Sequence, residues 1–148
     1  MFEWPLRVYI EDTDAGGIVY YVNYLKFMER ARTEFLRAYG FGKNYIFNQD
    51  LMFVVHSLNS QYLKPAKLDD HLIVTASILK SGSAYLLLEQ RVYRPISANE
   101  DNAAEKELLC KGEVKIACVD RQTMKPKKIP QDMLKILLNE SYKKGEIV

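Results

Sequence analysis

Residues 23–40 read NYLKFMERARTEFLRAYG and carry the clearest helical pattern in the chain. Apolar side chains recur there at the spacing of one helix face, and charged side chains occupy the opposite face. Asn23 is a suitable N-cap, and Gly40 is a suitable residue just past the C-terminus. The pattern predicts a helix over about residues 23–39, with a buried stripe of Tyr24, Phe27, Met28, Ala31, Phe35 and Ala38.

Strand patterns lie on both sides of this helix. Period-two alternation is clearest in Leu108–Cys118, where apolar residues alternate with Lys111, Glu113 and Lys115. Four further strands are predicted at Trp4–Ile10, Val54–Tyr62, Leu72–Leu79 and Tyr85–Tyr93. Short connections, such as Lys80–Ser83, favour antiparallel pairing. One long helix on such a sheet predicts an α+β domain.

Two further segments have weaker patterns. Pro95–Lys106 is rich in Asn, Ala and acidic residues and predicts an exposed loop. Residues 130–139 predict a short helix with one apolar face. Because no internal repeat is visible, the whole chain, 1–148, is predicted to be a single domain.

Composition narrows the class of protein. The chain has 148 residues, of which 48% are hydrophobic and 27% charged, and this balance is typical of a soluble globular domain. A net charge of only +2 argues against a nucleic-acid surface. No apolar stretch approaches the ~20 residues of a membrane helix, and the first residues do not resemble a signal peptide. We therefore expect a cytoplasmic protein without membrane insertion.

The two cysteines also fit a cytoplasmic protein, because they are expected to remain reduced. Cys110 and Cys118 lie in one predicted strand, and their separation along it of about 26 Å is far too long for a disulfide. We predict that both are free and packed in the core.

Residues 11–24, EDTDAGGIVYYVNY, join the first predicted strand to the helix. Gly16 and Gly17 allow a ligand to approach the backbone closely, and the helix N-terminus favours negative charge. A carboxylate at Asp14 could attack a carbonyl or activate water while the helix N–H groups hold the oxyanion. The same residues also fit an acidic turn whose only role is to stabilise the helix dipole.

Other catalytic patterns are absent from the sequence. Two histidines, His56 and His71, and two cysteines within one strand give no metal-ligand spacing. There is no Gly-x-Ser-x-Gly motif of the kind that serine hydrolases use.

The segment containing Asp14 resembles the signature of the 4-hydroxybenzoyl-CoA thioesterase group of hotdog proteins. Here that signature reads Arg7-Val8, four residues, Thr13-Asp14, two residues, then Gly17-Ile18-Val19. Residues 4–9 and 29–34 resemble more closely the Tol-Pal-associated, YbgC-type acyl-CoA thioesterases. The resemblance continues through residues 62–66 with Asp69-Asp70, and through residues 118–120 with 124–126, so it covers nearly the whole chain.

The resemblance implies a hotdog fold, in which a five-stranded antiparallel sheet wraps around one long helix. It implies homodimers or homotetramers with active sites between subunits, acting on the thioester of an acyl-CoA or an acyl carrier protein. Asp14 would be the nucleophile or general base, and the backbone N–H of Tyr21 would polarise the thioester carbonyl. No metal or other cofactor is expected. The candidate substrate contacts are Gly16, Gly17, Tyr20, Asn23 and His56.

One position departs from the family pattern. Many YbgC-type members carry histidine where this chain has Tyr21. We predict that only the backbone N–H at this position is needed, so that the replacement changes rate or substrate preference and not the reaction.

Two other functions compete with hydrolysis. A hotdog acyl dehydratase is expected to use a histidine around the helix, and residues 21–39 contain none. A non-catalytic acyl-binding or scaffolding module is the remaining alternative, favoured by Tyr21 and opposed by the presence of Asp14.

Overall fold

A computed structural model describes residues 1–96 and 105–145 of the chain. Within these residues, three helices and five strands follow one another, with a short 3-10 turn at Ile10–Asp12. In chain order these elements are β1 (Phe2–Arg7), α1 (Val22–Ala38), α2 (Lys43–Asn48), β2 (Leu51–Tyr62), β3 (His71–Ser81), β4 (Tyr85–Pro95), β5 (Lys106–Asp120) and α3 (Gln131–Gly145).

The five strands form one sheet in the order β1-β3-β4-β5-β2, and every neighbouring pair is antiparallel. Helix α1 contacts β1, β3 and β4. The predicted α+β architecture, one long helix on a five-stranded antiparallel sheet, is therefore confirmed. Strands β1 and β2 form the two edges.

Helix α1 uses the predicted apolar stripe to pack on the sheet. Tyr24, Phe27, Met28, Ala31 and Phe35 are buried as expected. The expectation for Ala38 is wrong: it is exposed at the last position of the helix, and Phe41 is buried just beyond it.

The C-terminus of α1 ends at the predicted glycine. Gly40 has φ +91°, a left-handed conformation that glycine adopts without steric cost. Its N–H donates to the Arg37 carbonyl at 3.0 Å, and the Phe41 N–H donates to the Leu36 carbonyl at 2.8 Å. These two bonds form a Schellman motif, which satisfies carbonyls that the helix leaves unpaired.

Both cysteines lie where the sequence predicted. Cys110 and Cys118 are free and buried in β5. Burial raises the pKa of both thiols, so they stay protonated and pack as small apolar side chains.

Several boundaries differ from the prediction. Strand β1 ends at Arg7 and not at Ile10, because the Asp12 carboxylate accepts the Tyr9 N–H at 2.9 Å and stabilises a 3-10 turn there. Helix α2 was not predicted, since its six residues are too few to show a period. Strand β2 begins at Leu51, three residues before the prediction. The predicted loop at Pro95–Lys106 falls mostly on residues 97–104, which lie outside the described residues.

Candidate active site

The segment between the 3-10 turn and α1 is anchored through the main chain of Asp12. The Asp12 carbonyl accepts the Tyr20 N–H at 3.0 Å and the side-chain amide of Asn23 at 2.7 Å. Thr13 and Val19 face each other in an antiparallel bridge, so the residues between them form a closed loop. Asp12 is therefore a structural residue, and the loop that it anchors presents Asp14.

Asp14 lies at the tip of this loop and is exposed. Its carbonyl accepts the Gly17 N–H at 3.1 Å, which closes a turn, and Gly17 has φ +82°. The Asp14 Oδ1 accepts the Gly16 N–H at 2.8 Å. Within the described part of the chain, the other carboxylate oxygen takes no hydrogen bond and no cation pairs with it. The carboxylate is held by one oxygen and presents the other to solvent.

Helix α1 begins immediately after this loop. Tyr21 is the N-cap residue, with helical backbone angles (φ −56°, ψ −30°) and no capping bond from its side chain. Among residues 1–96 and 105–145, nothing accepts a hydrogen bond from the N–H of Tyr21 or of Val22. These two N–H groups are available to an incoming oxygen, at the end of the helix where its dipole favours negative charge.

The phenol of Tyr21 belongs to an aromatic cluster. It is 56% exposed, and its ring lies 5.1 Å from that of Tyr20 and 5.8 Å from that of Tyr62. Tyr62 also contacts Tyr24, which is buried in the core. This chain of rings connects the surface at the start of α1 to the core.

Asn23 was predicted to cap α1 and to contact substrate. The capping prediction is wrong, because Asn23 is the second residue of the helix and the N-cap is Tyr21. Its side chain is buried and its amide already donates to the Asp12 carbonyl. A buried amide in use fits a structural role, and the substrate contact of Asn23 stays a prediction.

His56 lies on edge strand β2, away from the loop in sequence. The pairing of β2 with β5 shifts between Val55 and Ser57, so His56 is the extra residue of a β-bulge and is exposed. A bulge on an edge strand redirects a side chain, and here it directs the imidazole into solvent. Within the described residues of a single chain, no hydrogen bond links His56 to Asp14.

Residues 62–70, which carried part of the resemblance, support the loop from behind. The Val19 N–H donates to the Ala66 carbonyl at 2.8 Å, and the Ala66 N–H donates to the Tyr24 hydroxyl at 2.9 Å. Burial raises the pKa of Tyr24, so its hydroxyl stays protonated. Residues 62–70 therefore hold the loop that presents Asp14 in place.

An ion-pair network fixes this supporting segment. Arg94 bonds to the Asp70 carboxylate at 2.8 Å and to the Glu107 carboxylate at 2.7 Å, and Lys64 pairs with Glu107 at 3.0 Å. Asp70 also accepts the Lys67 N–H at 2.8 Å. The sequence showed none of the three ion pairs, because the partners in each are far apart in the chain.

A groove of about 170 Å³ runs along α1 from Val22 and was also not predicted. It lies between α1 and strands β2 and β5, and its lining is mainly apolar. A groove that starts beside the free N–H groups is suitably placed for an acyl chain.

Two negative findings apply to residues 1–96 and 105–145. They contain no group of three or more His, Cys, Asp or Glu residues arranged to hold a metal ion. None of their helices combines the length and the apolar character that a membrane span requires.

Known proteins resemble this chain over most of its length. The family model of the thioesterase-like superfamily matches residues 8–137. The acyl-CoA thioesterase YbgC of Haemophilus influenzae is 44% identical over 133 residues, which cover 89% of this chain and 90% of that protein. The acyl-CoA thioester hydrolase YbgC of Escherichia coli O157:H7 is 40% identical over 134 residues, covering 90% and 93%. The crystal structure of a hypothetical protein from Aquifex aeolicus matches with a TM-score of 0.79 at 28% identity, over 93% of this chain and 99% of that one.

Proposed function

The chain belongs to the thioesterase-like superfamily of hotdog proteins, among the YbgC acyl-CoA thioesterases, and we propose that it hydrolyses the thioester of an acyl-CoA to a free acid and a thiol. One observation carries this proposal. An exposed carboxylate, fixed by a single hydrogen bond, and two unpaired N–H groups at a helix start lie within residues 14–22.

Asp14 supplies the attacking group. As general base, it removes a proton from water while the water oxygen bonds to the thioester carbon. As nucleophile, it bonds to that carbon itself, and water then hydrolyses the mixed anhydride. Both routes end in cleavage of the C–S bond, and the departing thiolate takes up a proton. The Gly16 N–H orients the carboxylate in either route.

The start of α1 stabilises the transition state. As the thioester carbonyl becomes tetrahedral, its oxygen gains negative charge, which the N–H of Tyr21 binds. The Val22 N–H lies next to it and is equally unpaired, so it is a second candidate donor. Because both are backbone groups, a tyrosine at position 21 is compatible with the chemistry. Gly17 and Tyr20 precede this position in the chain and are proposed substrate contacts.

We propose a homodimer formed through β2, with pairing of dimers into a homotetramer as a further step. The twelve residues of β2 contain no Asp, Glu, Lys or Arg, and Val55 and Leu58 are exposed on it. The other edge, β1, is half as long and contains Pro5, which has no N–H to donate to a further strand. Pairing through β2 would also bring His56 of one protomer towards the site of the other. Light scattering should report a multiple of 17.2 kDa, and Leu58→Lys should shift it towards the monomer.

Three further parts of the proposal concern the carrier of the acyl group, the cellular compartment and the extent of the domain. The same chemistry applies whether CoA or an acyl carrier protein presents the acyl group. Two buried, free thiols fit the reducing cytoplasm, where we place the protein. We treat the whole chain, 1–148, as one catalytic domain.

Thiol release from a panel of acyl-CoAs tests the proposed function. The enzyme should release CoA with at least one acyl-CoA of the panel. A non-catalytic acyl-binding module would instead bind acyl-CoA, measured by calorimetry, without releasing thiol. Binding without turnover across aliphatic and aromatic esters would replace hydrolysis by this alternative.

A further inference from the structure

The groove beside α1 ends at a cation. Its apolar lining comes from three elements, and its helical side chains lie on one stripe that begins at Val22. Arg32 lies on the same stripe and also lines the groove. The apolar residues that line it are Val22, Leu25, Met28, Val55, Leu58 and Val114.

Arg32 lacks an acidic partner. Its Nη1 donates to the Oε1 of Gln90 at 2.9 Å, and no carboxylate in the described part of the chain lies within ion-pair distance of it. Burial lowers the pKa of Arg32, although the guanidinium remains charged. Arg94, by contrast, contacts two carboxylates. A partly desolvated cation with only a neutral partner is costly to maintain, and such groups are concentrated at binding sites.

Gln90 fixes the direction of this guanidinium. It is fully buried, and its Nε2 donates to the Met28 carbonyl at 2.9 Å and to the Thr75 carbonyl at 3.3 Å. With both N–H directions used, its Oε1 must point at Arg32. Among the described residues, every fully buried side-chain nitrogen or oxygen has a hydrogen-bond partner. The guanidinium nitrogens of Arg32 that have none are therefore not fully buried, and Arg32 is one of the residues that line the groove.

We infer that the groove accepts an acyl chain with a second carboxylate at its far end, which Arg32 binds. This inference rests on the proposed function and names its substrate class: α,ω-dicarboxylic monoacyl thioesters. Apolar walls suit the methylene chain, and a planar guanidinium suits a carboxylate in bidentate geometry.

The length of the stripe sets the length of the acyl chain. Val22 and Arg32 are separated by about 15 Å along the helix axis, and the Arg32 side chain leans back towards the helix N-terminus. A thioester at Tyr21 therefore requires a chain of medium length before its carboxylate reaches Arg32. A succinyl group is too short, whereas adipoyl and suberoyl groups come within reach.

Two other charged residues border the groove. Lys26 adds a positive charge and Glu29 a negative one, and both are exposed. Together with Arg32 the lining carries a net charge of +1, which favours an anionic chain end. Glu29 lies one turn before Arg32 and raises the pKa of Arg32, which opposes the effect of burial. The two side chains are too far apart to form an ion pair.

Paired substrates test the inference. Adipoyl-CoA and hexanoyl-CoA have the same number of acyl carbons and differ only in ending in a carboxylate or a methyl group. Wild-type kcat/KM should favour adipoyl-CoA by roughly 10- to 100-fold, as expected for a charge-assisted bidentate hydrogen bond. Arg32→Gln should reduce this preference to near unity, and Arg32→Lys should restore part of it. Arg30→Gln, on the exposed face of the same helix, is the matched control and should leave the preference intact.

Each outcome supports or overturns the inference. Hydrolysis of hexanoyl-CoA with no preference for adipoyl-CoA would overturn it and leave the thioesterase proposal standing. If Arg32→Gln lost the same factor in kcat/KM with both esters, or changed its oligomeric state, Arg32 would have a structural role alone. Either result would overturn the inference. Hydrolysis of neither ester, nor of any other acyl-CoA, would overturn the proposed function and this inference with it.

Discussion

Asp14 and Asp70 are both aspartates in turns, yet their surroundings differ. Asp70 accepts a backbone N–H and a guanidinium, and its Arg94 partner also holds Glu107. Asp14 accepts one backbone N–H and has no cationic partner in the described part of the chain. Asp70 lies in the network that supports the loop, and Asp14 is presented by the loop to solvent. The comparison separates a carboxylate used for stability from one left available for chemistry.

Among substitutions at Tyr21 and Asp70, removal of the Tyr21 N–H should have the largest effect on turnover, because it deletes the proposed oxyanion donor. Tyr21→Pro lacks this group, and the φ of −56° at position 21 already suits proline. Turnover of an acyl-CoA should fall by about 10²–10³-fold, the cost of an oxyanion donor. Tyr21→Ala is the control, since it removes the side chain and keeps the N–H.

The same series tests the tyrosine hydroxyl. Tyr21→Phe keeps both the ring and the N–H and should change turnover little. If Tyr21→Phe or Tyr21→Ala is as damaging as Tyr21→Pro, the side chain participates in the reaction and the backbone-only role is wrong.

Asp70→Asn should lower the stability of the fold and leave the chemical step unchanged. The change removes the negative charge that faces Arg94, whose side chain is only 24% exposed. The free energy of unfolding should fall by roughly 1–2 kcal/mol, as measured by urea denaturation. A variant as stable as wild type would show that the network contributes nothing measurable, and the contrast with Asp14 would lose its structural half.

A smaller effect concerns pH. The hydrogen bond from Arg94, and then that from Lys64, lowers the pKa of Glu107. A carboxyl whose pKa is lowered by folding stabilises the protein above its unfolded pKa of about 4.3 and loses that contribution as pH falls through the folded value. The Tm difference between wild type and Glu107→Gln should therefore be greatest near neutral pH and shrink below about pH 4. Glu113→Gln, an exposed position on the same strand, should show no such trend.

These contrasts also show which features the sequence could predict. Helix α1 was predicted to within one residue at each end because its apolar stripe and Gly40 are local signals. Asp14 stood out because glycines and a helix start follow it directly. Asp70 looked similar in sequence, and only the fold reveals that Arg94, on β4, pairs with it and also with Glu107 on β5.

Asn23 illustrates the reverse case. Its residue type favours an N-cap, but the bond from its amide to the Asp12 carbonyl depends on the path of the preceding loop. The partnership of Arg32 with Gln90 likewise depends on the packing of α1 against β4. Such contacts between distant segments leave no pattern in a single sequence.

The most direct test compares Asp14→Asn with Asp70→Asn in the same thiol-release assay, after unfolding curves establish how much of each variant is folded. Asp14→Asn keeps the shape of the side chain and removes the attacking charge, so turnover should fall by at least about 10²-fold with stability close to wild type. Asp70→Asn should lose stability and keep the turnover of its folded fraction. Full activity in folded Asp14→Asn would contradict the assignment of the active site.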